Sequence, residues 1–288
     1  MAAEEALSMA EQPPQSNQPG KKRWIVWVVW LIIVIILALL VLLFTCNRDS
    51  KTSNTNETPL KTGPATKALP DRSGEGSGPV ARWLFNGDGQ DATGNGHTAT
   101  ALGGATFDGK LDGVNDGFTV ANSPKLNPTN AITISAWWDA VDFSGSGNNG
   151  LVDKGFTSHV PPYYQYHLGV TGNKYGGGSR GSHFDFWVAL DGKTTQAQFT
   201  PWTPGKRYHL VGTYDGHEVR LYIDGQLAQA TPASGSMTDY GKDIAIATYT
   251  NFQSESSYFL PGKIDDIAIW DRALAAAEVK ALYDAGPK

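Results

Sequence analysis

Two patterns of hydrophobicity divide the chain. From Trp24 to Phe44 the run WIVWVVWLIIVIILALLVLLF carries no charge, no Gly and no Pro. A helix of that length rises roughly 31 Å, about one bilayer hydrocarbon core, so the run predicts a transmembrane helix over 24–44. Trp24, Trp27 and Trp30 crowd one end of it, where an interfacial aromatic belt belongs. Beyond about Pro79 the period becomes two. YYQYHLGVT sets Tyr164, Tyr166, Leu168 and Val170 against Gln165, His167 and Gly169. HFDFWVAL sets Phe184, Phe186, Val188 and Leu190 against His183, Asp185 and Trp187. Such alternation predicts strands with one buried face. AITISAWWDAV, RYHLVGTY, EVRLYID, DIAIATY and KIDDIAIW read as further strands, separated by Gly, Asn, Asp and Pro turns. One late helix, LAAAEVKALYDA, can align Leu274, Val279, Leu282 and Tyr283 on a stripe before Gly286 and Pro287 end it. The predicted fold is an all-β, two-sheet antiparallel sandwich with a short C-terminal helix, behind an N-terminal single transmembrane helix.

Four regions follow. Residues 1–23, rich in Gln, Pro, Ser and Glu, read as a disordered cytoplasmic tail. Residues 24–44 are the span, and residues 45–78 a Ser/Thr/Gly/Pro/Lys-rich flexible stalk. Residues 79–288 suffice for one β domain with a full core. Lys21, Lys22 and Arg23 abut the span and favour a cytoplasmic N-terminus with the domain outside. The apolar run exceeds a signal-peptide core, and no A-x-A site follows it. Cys46 is the only cysteine, which rules out an intrachain disulfide and leaves packing or metal to stabilise the domain. An unmodified thiol is the plain reading of Cys46, with lipidation the alternative. The lone cysteine and the missing conventional signal peptide point to a bacterial envelope. The net charge of −5 and the lack of a basic patch argue against nucleic acid.

Several segments resemble one family in the right order. VARWLFNGDGQDATGNGHTA resembles an opening strand and its Asp–Gly–Asn turn; LDGVNDGFTV, AITISAWW and LVDKG resemble the strands that follow. GKRYHLVGTYDG with VRLYIDGQL, and the tail GKIDDIAIWDRALAAAEVKALY, complete the set. On these marks residues 80–288 resemble the laminin-G-like, concanavalin A-like jelly-roll domains. The resemblance implies two face-to-face antiparallel sheets, and binding of glycans or proteins far more often than catalysis. It also implies a structural calcium ion where the chain ends meet. By motif position Asp112 and Asp265 would carry it, with Asp91 possible. The competing reading of these residues is that each caps its own turn.

Two constellations bear on chemistry. Glucanases of this fold carry E-x-D-x-E on one strand, and no such triplet exists here, so no enzymatic activity is expected. A sugar platform combines a flat aromatic with planar hydrogen-bonding groups. If Phe184, Phe186 and Val188 face the core, then His183, Asp185 and Trp187 face away, and so do Gln165 and His167. These five are the candidate ligand-binding residues, expected to face solvent; packing of Trp187 under a loop is the competing reading. Trp137 matches the family tryptophan and is expected in the core. The sequence therefore predicts a membrane-anchored, noncatalytic module binding a polysaccharide or glycoprotein glycan. A protein-binding adhesion or envelope-assembly module is the alternative, and a divergent glycan hydrolase the more distant one.

Overall fold

The computed structural model describes residues 78–143, 148–155, 161–171, 182–249 and 258–288. The tail, the span over 24–44 and nearly all of the stalk lie outside the described residues. Among the described residues no helix is long and apolar enough to cross a membrane.

Two seven-stranded antiparallel sheets make up the domain. The first orders β1 (Ala81–Trp83), β14 (Pro261–Trp270), β5 (Ile132–Asp139), β10 (Arg207–Tyr214), β11 (Glu218–Ile223) and β12 (Gln226–Pro232), with β3 (Lys110–Asp112) also on β14. The second orders β2 (Ala99–Leu102), β4 (Gly117–Val120), β13 (Ile244–Ile246), β6 (Asn148–Gly155), β7 (Tyr164–Thr171), β8 (His183–Leu190) and β9 (Lys193–Phe199). Sequence neighbours β6 to β9 pair in order, while β2, β4 and β13 join from distant parts of the chain.

Period-two alternation builds the core. Ile132, Ile134, Ala136 and Trp138 of β5 and Leu210 and Tyr214 of β10 meet Tyr166, Leu168 and Val170 of β7 and Phe184, Phe186 and Val188 of β8. Each such side chain, taken fully out of water, stabilises the fold by roughly 1.5–3 kcal/mol. Gly212, between Leu210 and Tyr214, faces the opposite sheet. A Cβ there would lie 2.1 Å from the Phe186 ring, so the missing side chain sets how closely the sheets approach.

The outer face of the first sheet is also closed. The C-terminal helix (Ala276–Ala285) lays Val279 and Leu282 over Val211, Tyr222, Ala268 and Trp270. Here the structure corrects the sequence reading of Trp137. Trp138 is the core tryptophan, whereas Trp137 is on the outer face, stacked on His209 (4.6 Å) and on Tyr283 of the helix (5.8 Å). The motif identified a buried tryptophan but not its side, because two adjacent tryptophans must point oppositely.

Gly212→Ala is expected to cost about 1–3 kcal/mol by overpacking against Phe186. Thermal unfolding of the full chain should show the domain transition lowered by about 2–4 °C for each kcal/mol.

Candidate functional site

The candidate site is on the outer face of β6–β9, and cross-strand pairing assembles it. Asp153 pairs with His167, His167 with Trp187, and Trp187 with Gln196, one row across four strands. A second row runs Gly150, Gly169, Asp185, Gln198. The two glycines leave that row bare between β6 and β7, and the His167 ring fills the gap. A Cβ on Gly169 would lie 2.0 Å from His167 Nε2, and one on Gly150 3.6 Å from its Nδ1. His167 is thereby directed at Asp185.

All five expected ligand-binding residues are on β7 and β8, but four of them are not solvent-facing. Gln165, His167 and Asp185 are 0 % exposed and His183 5 %; Trp187 alone is half-buried. The alternation set the face correctly; what it could not register is that this face is covered. Tyr164 departs from the expected pattern as well. It is absent from the core and stacks on His167 at 4.4 Å, beside a register shift at Lys154/Gly155. Its ring stands edge-on to Trp187 (5.5 Å) and Tyr249 (5.5 Å), so an aromatic wall flanks the polar rows.

Three site residues were missed. Asp153 was read as part of a family mark, yet it is fully buried beside His167. Gln196 and Gln198 extend the two rows to the sheet edge and are half-buried. Their signal was present: they alternate with the core residue Ala197 in KTTQAQF.

The electrostatics separate the two carboxyls. His167 Nε2 lies 3.2 Å from Asp185 Oδ1, and His183 Nε2 3.2 Å from Oδ2. Burial opposes ionisation of Asp185, but the two histidines outweigh it and hold the carboxyl below the usual carboxylate range. These contacts are close without hydrogen-bond alignment, so neither Asp185 oxygen has a well-formed partner. Asp153 has no such support: burial pushes its carboxyl well above the usual range. Both Asp153 oxygens, both Gln165 amide atoms, His167 Nδ1, Trp187 Nε1 and Thr248 Oγ1 are buried without a hydrogen-bond partner among the described residues. Each unsatisfied group costs about 1–3 kcal/mol. A packed protein seldom keeps so many on one face unless a ligand or water completes them.

The calcium expectation finds no cage in its candidate residues. Asp91 caps the β1–β2 turn, accepting from the backbone of Arg82, Thr93 and His97. Asp112 accepts from Val114, Asn115 and Asp116 in its own turn. Asp265 sits at a register irregularity in β14, 3.9 Å from Arg207. Among the described residues no group of three or more His, Cys, Asp or Glu side chains is arranged to hold a metal. The capping reading describes Asp91 and Asp112.

The fold is that of a two-sheet antiparallel jelly-roll domain. The chain belongs to the concanavalin A-like lectin/glucanases superfamily, whose family model matches residues 112–280. Over 110 residues it is 27 % identical to human Adhesion G-protein coupled receptor D1, a match covering 38 % of this chain and 12 % of the receptor. Similar solved structures include domain 4 of AbnA, an extracellular GH43 arabinanase from Geobacillus stearothermophilus, in complex with arabinotriose. The TM-score is 0.50 at 17 % identity, covering 70 % of this chain and 97 % of that one. Another is the binding domain of botulinum neurotoxin serotype G, with TM-score 0.51 at 14 % identity, covering 72 % of this chain and 51 % of that one.

Asp153→Asn is expected to stabilise the domain at neutral pH. A carboxyl whose folded pKa exceeds its unfolded 3.8 weakens the fold as pH rises above that value and is neutral below it. Melting curves from pH 3 to 8 should show the variant matching the parent near pH 3 and exceeding it by several degrees at pH 7, at about 2–4 °C per kcal/mol.

Proposed function

We propose that the domain is a noncatalytic carbohydrate-binding module whose site is the outer face of β6–β9. One observation carries the reading: buried polar atoms of Asp153, Gln165, His167, Asp185 and Trp187 without hydrogen-bond partners among the described residues stand beside aromatic rings. A polyhydroxylated ring presents donors and acceptors around its rim and apolar C–H faces. Gln165, His167 and Asp185 suit the rim; Trp187 and Tyr164 suit the faces. Gln196 and Gln198 continue the polar rows to the sheet edge, where a ligand approaches. The bound arabinotriose of the AbnA domain supports the same ligand class on this fold. A hydrolytic reading draws on the opposite protonation of Asp153 and Asp185. It is the weaker one, since His167 and His183 already engage Asp185.

The binding experiment is a polysaccharide array probed with the full chain. The parent should bind at least one neutral polysaccharide. Trp187→Ala should weaken binding at least about tenfold, the scale of a lost stacking anchor, while keeping its far-ultraviolet circular dichroism. Release of reducing ends from the bound glycan would establish hydrolysis instead, and silence across the array would favour the protein-adhesion alternative.

We further propose that residues 24–44 hold the domain outside a bacterial cell membrane, with residues 1–23 in the cytoplasm. The uninterrupted apolar run and the preceding Lys21-Lys22-Arg23 support this. In membranes of expressing cells the full chain should resist alkaline carbonate extraction, and protease added to spheroplasts should digest the β domain. Release by carbonate would remove the anchor from the proposal.

A further inference from the structure

We infer that the face of β6–β8 selects uncharged, hydroxyl-rich glycans and discriminates against carboxylated ones. The inference rests on the glycan-binding reading and names the ligand class of that site.

The argument starts from hydrogen-bond valence. Asp153 and Asp185 together present four carboxyl oxygens without well-formed partners. An ionised carboxylate accepts only, so Asp185 needs donors. A sugar hydroxyl donates and accepts, and can meet Asp185 while taking the Gln165 amide or Trp187 N–H with its lone pairs. A uronate carboxylate brings acceptors alone and cannot satisfy Asp185.

Charge points the same way. Among the described residues, the groups on the outer face of β6–β8 able to carry positive charge are His167 and His183, and both already face Asp185 at 3.2 Å. Lys154, beside Asp153 on β6, turns its ammonium elsewhere. It donates to Asn122 Oδ1 at 2.6 Å and to the Lys242 carbonyl, tying down the loops around β4 and β13. Lys193, at the β8–β9 turn, is exposed and pairs with Leu190, away from both rows. An anionic sugar would therefore bring a second negative charge to a carboxylate that burial leaves poorly screened. Such pairing is strongly disfavoured when neither charge gains a counter-ion.

The test uses matched ligands. The full chain, in detergent micelles, is titrated with oligogalacturonides as methyl esters and as free acids. Cello-oligosaccharides are compared with their C6-oxidised counterparts, and the array covers other neutral and carboxylated pairs. The neutral member should bind at least about tenfold tighter wherever either binds. Asp185→Asn and Asp185→Ser, each checked for folding by circular dichroism, should narrow the gap, since each removes the ionised carboxylate. Asp185→Ser keeps the test open should Asp185→Asn fail to fold. Equal binding, or preference for the acid, overturns this inference and leaves the glycan reading standing. A gap unchanged in a folded Asp185 variant overturns its assignment to that carboxylate. Silence on every pair overturns the glycan reading and the inference with it.

Discussion

The register of β6, β7, β8 and β9 governs both faces of the second sheet. Pairing of Leu168 with Phe186 and of Val188 with Thr195 keeps the apolar set against the core. The same pairing aligns Asp153, His167, Trp187 and Gln196 on the opposite side. A slip of one residue would exchange the faces, burying carboxylates among Phe and Leu side chains. The apolar core thus indirectly fixes the geometry of the polar rows. Gly169 and Gly150 refine it, since only bare backbone at those points lets the His167 ring lie toward Asp185.

The two sheets treat their outer faces differently, and the contrast serves as an internal control. The first sheet also holds a buried histidine beside stacked rings. There, His209 Nε2 lies 2.8 Å from Ser135 Oγ, and its ring is layered with Trp137 and Tyr283. Burial pushes His209 down to about 4, so it stays neutral and acts as packing. The helix supplies the covering layer. On the second sheet a similar histidine adjoins two carboxyls, an amide and an indole N–H that lack hydrogen-bond partners among the described residues. His209 Nδ1, Thr213 Oγ1 and Asp265 Oδ1 of the first sheet also lack hydrogen-bond partners among the described residues, so the difference is one of degree: on the second sheet the unpartnered atoms are more numerous and include all four oxygens of Asp153 and Asp185. Stability alone would favour the first solution, because unsatisfied polar groups lower the margin on which a domain of this size depends.

Much of this architecture was legible in the sequence. HFDFWVAL and RYHLVGTY are strands over the residues that their alternation marks. The helix ends at the predicted glycine, with Gly286 at φ 68°. Those signals are local, and hydrophobic period reports them directly. Strand β9 escaped because KTTQAQF turns only one clearly apolar residue, Ala197, to the core. Asp153 escaped for another reason: its meaning arises from pairing with His167, fourteen residues on, and pairing partners are not written in either strand alone. Tyr164 was assigned to the core by parity, and the register shift beside it brought its ring onto His167.

Covering of the platform was the least legible feature, and it changes the chemistry of binding. On an open sheet Asp185 would exchange its interactions with water, and a sugar hydroxyl would gain little by replacing them. Out of water, the same carboxylate interacts more strongly with its two histidines and discriminates more sharply among ligands. Half-buried Trp187, flanked by Gln196 in its own row and Gln198 in the next, is the transition between these regimes. In the proposed reading a ligand at that edge would stack first on the accessible ring and reach the polar rows only as their cover gives way. Under the proposed glycan-binding reading the two steps would call on different residues: Trp187 for the apolar face of a sugar, and Asp153, His167 and Asp185, once uncovered, for the pattern of its hydroxyls.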